Sequence, residues 1–367
     1  MSENGPSVSR AVLYRVVELV FKGGLKTQTI ADQINHEFPG VHVNRQSIYK
    51  LLAEAKEFGL LRVVAPFELE LESLIRKEFK IPQDEVKNIT VVDCPNPENS
   101  DAVSAAAADV ALELIKRIGT RRGGAAVGLG LGPGRATLSF SQSISNLIKQ
   151  DPLLPKLNLF GISAGCVHDA PQFAPVSFFN LFPEEKVEKR LALFAQALVL
   201  GKEFERIKSS HGVKEVFEAK DGIDIVVTSM GNMIDEHTLY RVFMDRCYPD
   251  LDRRPTWLAD CVGDVQYRPF SKSAPLHEGP NDYRLVTLFE LEELVTMARD
   301  KGKYVVLIAR QCGLCKTQMT RAKALMPLMA NPKLRLFSHV VMDSPTAKEL
   351  LIEARQTKPG LQPLPSS

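Results

Sequence analysis

The sequence predicts an α/β protein in two parts, a tri-helical head followed by a larger unit built on a parallel sheet. Three observations predict it. The first 65 residues carry short amphipathic helical patterns separated by glycine and proline. Beyond residue 88, apolar runs of strand length alternate with helical patterns, as expected of a parallel sheet covered on both faces. One such run, Ala125 to Leu131, passes directly into a glycine-rich turn and a helix.

The elements follow in order. Val12, Leu13, Val16, Val17, Leu19, Val20 and Phe21 set the first helix, and Gly23-Gly24 ends it. Thr27 to Phe38 is the second, with Thr27 or Thr29 as its cap, and Pro39-Gly40 breaks it. Asn44 to Phe58 is the third, capped by Asn44, with Ile48, Leu51, Leu52 and Ala55 on one face. Gly59 stops it, and Leu60 to Val64 reads as a short strand, giving a winged helix-turn-helix. Phe67 to Phe79 is expected to be helical and Thr90-Val91-Val92 a strand. Further strands are expected at 125–131, 157–162, 223–229, 304–309 and 339–342. Helices are expected at 102–118, 137–148, 185–200, 288–301 and 316–328. This divides the chain into a head, 1–65, an α/β unit, 66–358, and a loose Pro-rich tail, 359–367.

Composition narrows the class. The chain has 367 residues, 44 % of them hydrophobic and 25 % charged, enough apolar material for a large core. Lys+Arg 46 against Asp+Glu 44 excludes a polycation but not a local basic face. Six cysteines do not make a disulfide scaffold, so a reducing cytoplasm is expected. No signal-peptide pattern and no apolar run of about 18 residues is present, so no membrane partner is expected.

In a helix-turn-helix, the third helix presents polar side chains from its first turns to the major groove. Here that edge carries Asn44, Arg45, Gln46, Ser47, Tyr49 and Lys50. Arg and Gln can pair with base edges, while Lys, Ser and Tyr suit phosphates. Thr27 and Gln28 open the second helix, where free N–H groups favour a phosphate. The alternative is a dimerisation or docking cap with a solvated polar face.

The glycine turn, Gly128-Leu129-Gly130-Leu131-Gly132-Pro133-Gly134-Arg135-Ala136-Thr137, lets backbone approach an anion or sugar hydroxyls, with Arg135 and Thr137 as side-chain partners. It is not the dinucleotide fingerprint, whose third glycine falls on Pro133, and no Gly-Lys-Ser/Thr follows to make a P-loop. A tight turn without a ligand is the plain reading. Gly161-Ile162-Ser163-Ala164-Gly165 matches a nucleophile elbow, but Pro171 and Pro175 oppose the helix that must follow. Cys312-Gly313-Leu314-Cys315-Lys316 after a strand looks like a thioredoxin motif, or half a zinc site completed by Cys166 and His168. The plain reading is two small thiols at a turn, with Lys316 as the useful group.

Taken together, the segments resemble the SorC/DeoR-type sugar-binding transcriptional regulators over nearly the whole chain. "VLYRVVELVFKGGLKTQTIADQI" with "NRQSIYKLLAEAKEFGLLRV" is similar to the family's helix-turn-helix, and "FELELESLIRKEFKI" to its junction helix. "AAVGLGLGPGRATLSF", "GIDIVVTSMGNM", "CVGDVQYRPF", "LFELEELVTMARDKGKYVVLIARQCGLCKTQM" and "FSHVVMDSPTAKELL" follow in the family's order. The resemblance implies an α/β effector domain of the sugar-phosphate isomerase/CoA-transferase-like type. It implies a sugar or sugar-phosphate effector at the carboxyl ends of the strands, operator DNA as partner, self-association as dimer or tetramer, and no cofactor. The matching effector residues are Gly132, Gly134, Arg135, Thr137, Gly165, Asp264 and Lys316. The chain departs from the family in its longer helix link, "HEFPGVHV", in "RQCGLCK", and in "CVHDAPQFAPVSFFN". The alternative is a sugar-phosphate isomerase or deaminase with an appended head, for which Asp264, Glu236 and His237 are the candidate acid–base groups.

Overall fold

A computed structural model describes residues 7–61, 64–165, 170–315 and 319–356. The chain divides into two compact units, Met1–Val64 and Ala65–Ser367. The expected tail at 359–367 lies outside the described residues.

The first unit holds helices α1 (Arg10–Gly23), α2 (Thr27–Glu37) and α3 (Arg45–Glu57). The Ser9 side chain accepts the Val12 N–H to start α1, and Gly24 at φ +56° ends it. Lys26 occupies the cap position of α2 without a side-chain hydrogen bond, so neither Thr27 nor Thr29 caps it. Val12, Leu13, Val16, Ile30, Ile34, Ile48 and Leu51 bury one shared cluster. The long link between α2 and α3 is pinned by Asn35, whose amide accepts from the Val43 N–H at 2.7 Å and donates to the Val43 carbonyl at 2.8 Å. Among the described residues this unit has no strand; Leu60 and Leu61 lie in a turn, and Arg62 and Val63 fall outside the description.

The second unit opens with α4 (Leu69–Glu78), β1 (Asn88–Val92), α5 (Asp101–Arg121), β2 (Val127–Leu131), α6 (Arg135–Gln150) and β3 (Leu157–Gly161). There follow α7 (Pro175–Phe178), β4 (Val187–Leu191), β5 (Leu198–Leu200), α8 (Phe204–Lys208), α9 (Lys214–Ala219) and β6 (Ile225–Asn232). Next come α10 (Leu239–Cys247), α11 (Thr256–Ala259), β7 (Gly263–Val265), β8 (Arg268–Phe270) and β9 (Tyr283–Leu285). The last elements are α12 (Leu291–Arg299), β10 (Tyr304–Ala309), α13 (Ala322–Ala330), β11 (His339–Asp343) and α14 (Ser344–Gln356). The main sheet runs β1-β11-β10-β6-β2-β3-β4, and every pair on that path is parallel.

Both faces of the sheet are buried, as strand alternation shows. In β10, Val305, Leu307 and Ala309 join one apolar layer and Tyr304, Val306 and Ile308 the other. In β2 the leucines face one layer and glycines the other, because a Cβ on Gly128 would lie 2.0 Å from the Gly222 carbonyl oxygen. At the amino ends of the strands, Asp224 accepts from Arg122 at 2.5 and 2.8 Å and from the Gly128 N–H at 2.9 Å. Lys303 there donates to the carbonyls of Asp221 at 2.5 Å and Ile223 at 2.8 Å.

At the carboxyl end of β6 an antiparallel hairpin, β7–β8, is added. Its two tip residues, Gln266 and Tyr267, both take left-handed backbone, with φ +48° and +68°. Two expected helices are corrected. Residues 185–200 form β4 and β5, because pairing with β3 places Val187 inward while Glu188, Lys189 and Arg190 stay exposed on the sheet edge. The late helix starts at Ala322 and runs to Ala330, with Thr320 accepting the Ala322 N–H. Among the described residues no helix is long and apolar enough to cross a membrane, and the five described cysteines are free thiols.

Candidate functional site

Loops diverging from the carboxyl ends of β2, β6 and β10 enclose a cavity of about 290 Å³. Openings of this kind are where ligands bind in open α/β sheets. The β2–α6 turn forms one wall. Gly132 is required there by close approach, since a Cβ would lie 2.3 Å from the Thr228 hydroxyl on β6. Gly134 takes φ +113°, and its N–H donates to the Phe173 carbonyl at 3.0 Å. Arg135 then enters the cavity wall. Its guanidinium lies 4.7 Å from the Phe173 ring centre and donates to the His237 carbonyl at 3.0 Å. Among the described residues no carboxylate pairs with it. Burial lowers its pKa from the ordinary arginine value. Its remaining N–H donors suit an anion.

The opposite wall is rich in acceptors. Asp264 sits in the hairpin against Gly231, where a Cβ would lie 2.0 Å from its Oδ1. Its Oδ2 accepts from the Tyr267 N–H at 3.0 Å, while Oδ1 is buried without a partner among the described residues. Burial pushes this carboxyl up to about 7, against the stabilising Tyr267 hydrogen bond. Gln266 donates to the Phe289 carbonyl at 2.7 Å, which leaves its Oε1 buried and unpartnered. The Gln311 Oε1 and the Tyr240 hydroxyl, on two further lining residues, are likewise buried without partners among the described residues. Native structures rarely leave such groups unsatisfied. Three buried acceptors and a hydroxyl belong to residues that line one cavity, a polar wall suited to a ligand that brings several O–H donors.

Charged pairs frame these groups. Arg310 pairs with Asp101, and Arg321 with Asp235 at 2.7 Å. Burial opposes ionisation of Asp235, but Arg321 holds its carboxyl below the ordinary range. The Cys315 Sγ lies 3.3 Å from His237 Nδ1 and 3.3 Å from Asp235 Oδ1. The Cys312 Sγ lies 3.8 Å from the same imidazole nitrogen. Cys166 and His168, the expected partners of the cysteine pair, lie outside the described residues; the neighbours observed are His237 and Asp235.

The structure sorts the sequence-based effector residues. Gly134, Arg135 and Asp264 line the cavity, and Gly132 shapes the turn beside it. Thr137 does not line it: the residue is fully buried, and its hydroxyl faces the Pro133 carbonyl at 3.4 Å. Gly165 packs near Ala174 and Val176 and is also absent from the lining. Lys316 lies outside the described residues. Of the acid–base candidates, Asp264 and His237 line the cavity while Glu236 is exposed and does not. Ser163 forms an isolated bridge with Thr287 and stays out of the lining. Sequence reasoning missed Tyr240, Gln266, Gln311, Arg310 and Arg321, although Gln266, Arg310 and Gln311 lie within segments that carry the resemblance.

In the first unit, Arg45, Gln46, Tyr49 and Lys50 are exposed along α3, Tyr49 at 63 %. Asn44 and Ser47 are engaged with each other. Asn44 Oδ1 accepts the Ser47 N–H at 2.9 Å, a capping box that starts the helix. Gln28 is exposed and donates to Asp32 at 2.9 Å, and Thr27 is half-buried.

No family model matches the chain, and no curated protein sequence matches it. Solved structures do. The full-length sorbitol operon regulator SorC from Klebsiella pneumoniae matches with a TM-score of 0.60 at 15 % identity, over 94 % of this chain and 100 % of that one. A DeoR family transcriptional regulator from Listeria monocytogenes matches with a TM-score of 0.54 at 16 % identity, over 77 % and 98 %. A transcriptional regulator from Streptococcus pneumoniae TIGR4 matches with a TM-score of 0.54 at 14 % identity, over 78 % and 97 %. The chain therefore has the fold of the SorC/DeoR-type transcriptional regulators, the fold that its sequence resemblance implies.

Proposed function

We propose that this chain is a transcriptional regulator whose affinity for operator DNA is set by a sugar or sugar phosphate bound in the cavity. The observation that carries the reading is a cavity wall that holds three buried acceptors without partners among the described residues, Asp264 Oδ1, Gln266 Oε1 and Gln311 Oε1, together with Arg135, which no described carboxylate pairs. Hydroxyl groups satisfy the acceptors, and a phosphate satisfies the arginine. The fold shared with transcriptional regulators, one of them a sorbitol operon regulator, supports the same reading.

Arg45 and Gln46 are placed to read base edges, and Tyr49 and Lys50 to contact phosphates. The protein acts in the cytoplasm as a dimer or tetramer, because paired half-sites match two-fold symmetry. The effector controls binding by favouring one of two head arrangements, which requires that it bind one better than the other.

The test is a gel shift on DNA upstream of the protein's own gene, with and without a panel of sugar phosphates. Arg45→Ala combined with Gln46→Ala is expected to abolish sequence-specific binding, since each base-edge pair is worth about 1–3 kcal/mol. Unchanged specificity in this variant would remove the head assignment. Turnover of a sugar phosphate by the purified chain would instead favour the isomerase reading, with Asp264 and His237 as its acid–base groups.

A further inference from the structure

We propose that Asp235, His237, Cys312 and Cys315 form a binding site for a divalent transition-metal ion of the zinc class. One donor atom from each of the four lies within 4.8 Å of all the others. The separations fit a common centre. A tetrahedral ion with bonds of roughly 2.0–2.3 Å has donor–donor edges of about 3.3–3.8 Å. The observed edges are 3.3 Å from Cys315 to His237, 3.8 Å from Cys312 to His237, 3.3 Å from Cys315 to Asp235 and 3.5 Å from His237 to Asp235.

The donor chemistry selects the ion. Two sulfurs and an imidazole favour zinc or cobalt over magnesium or calcium. Four protein donors close the coordination shell, which marks a structural or regulatory site rather than a catalytic one. The outer shell is already arranged. Arg321 holds Asp235 Oδ2 at 2.7 Å, leaving Oδ1 toward the thiol and the imidazole. On loading, both thiols release their protons to solvent. The dication, two thiolates and one carboxylate then sum to a charge of −1, which Arg321 faces.

A dithiol redox pair does not account for the arrangement, because it needs neither the imidazole nor the carboxylate at bonding separation. The metal would tie two loops together, one following β6 and one following β10. His237 and Cys312 also line the cavity, so loading fixes part of its wall. The inference is independent of the sugar and operator readings, since metal content is measured without either.

The test uses the full chain, purified under reducing conditions, loaded with zinc and dialysed. Elemental analysis is expected to give about one zinc per chain, and cobalt loading to give the intense visible bands of a tetrahedral site with a thiolate-to-cobalt charge-transfer band. Cys315→Ala and His237→Gln change half-buried positions and are expected to remove the metal while keeping the wild-type circular dichroism. Cys247→Ser, a cysteine outside the cluster, is expected to keep it. A chelator is expected to lower the Tm of the loaded wild type and to leave that of Cys315→Ala unmoved. Sub-stoichiometric zinc in the reduced wild type, an octahedral cobalt spectrum, retention by Cys315→Ala, or a Cys312–Cys315 disulfide that forms in place of metal binding would each overturn the proposal.

Discussion

At the two ends of the parallel sheet, one buried carboxylate and the polar groups of the cavity wall are treated in opposite ways. At the amino ends, Asp224 is 1 % exposed and its carboxylate accepts from Arg122 and the Gly128 N–H. Lys303 is tied to two carbonyls. At the carboxyl ends, Asp264, Gln266, Gln311 and Tyr240 each keep a buried polar atom without a partner among the described residues. Satisfied groups hold a fold together, whereas unsatisfied ones are tolerated where a ligand completes them.

That contrast can be broken most severely at the amino end. Asp224→Ala strands Arg122 and a buried backbone N–H, and is expected to destabilise the protein by about 3 kcal/mol. This is the low end for a broken buried pair, because Arg122 is 40 % exposed. Urea denaturation measures it, and effector affinity in the folded variant should be unchanged. A loss under about 1 kcal/mol would show that the amino end is no more closed than the carboxyl end.

Arg135→Ala is the matching change at the cavity. It is expected to weaken a sugar-phosphate effector by about 10–100-fold, as loss of hydrogen bonds to a charged group does, with little effect on stability. Calorimetry measures the affinity. Equal affinity in the variant would take the anion off this wall.

Asp264→Asn gives the most diagnostic effect, because it is read from a slope rather than from a single value. The folded carboxyl titrates near 7, above the roughly 3.9 of an unfolded aspartate. Between those values the folded state binds more protons than the unfolded state, so this residue makes stability fall as pH rises from about 4 to about 7. The variant is expected to flatten that slope in a series of thermal melts and to gain a little stability at pH 7.5. An identical slope in both proteins would mean that Asp264 is solvated.

Much of the fold was readable because apolar strands and capped helices leave local marks. Tyr304 to Ala309 reads as a strand from six consecutive apolar residues, and the structure ends it at the same positions. Residues 185–200 misled, because an edge strand with three charged residues outward carries a helix-like spacing. The exposed row on α3 was legible from periodicity, but Asn44 and Ser47 turned out to serve the helix itself. In the cavity, Arg135 and Asp264 carried a charge that flagged them, whereas Gln266 and Gln311, in equally recognisable segments, and Tyr240 are neutral residues with no charge or spacing to single them out. The cysteine pair was conspicuous, yet its neighbours were not. His237 is 75 residues from Cys312 and meets it because β6 and β10 are paired in the sheet.

The hairpin tip carries one more lesson. Gln266 and Tyr267 hold left-handed backbone that Asn-Gly would adopt with less strain, at roughly 1 kcal/mol or more for each residue. Yet Gln266 belongs to the cavity wall, and the Tyr267 N–H orients Asp264. Replacing the pair with Asn-Gly is therefore expected to raise stability while altering the cavity wall, so thermostability and the shape of that wall trade against each other at this turn.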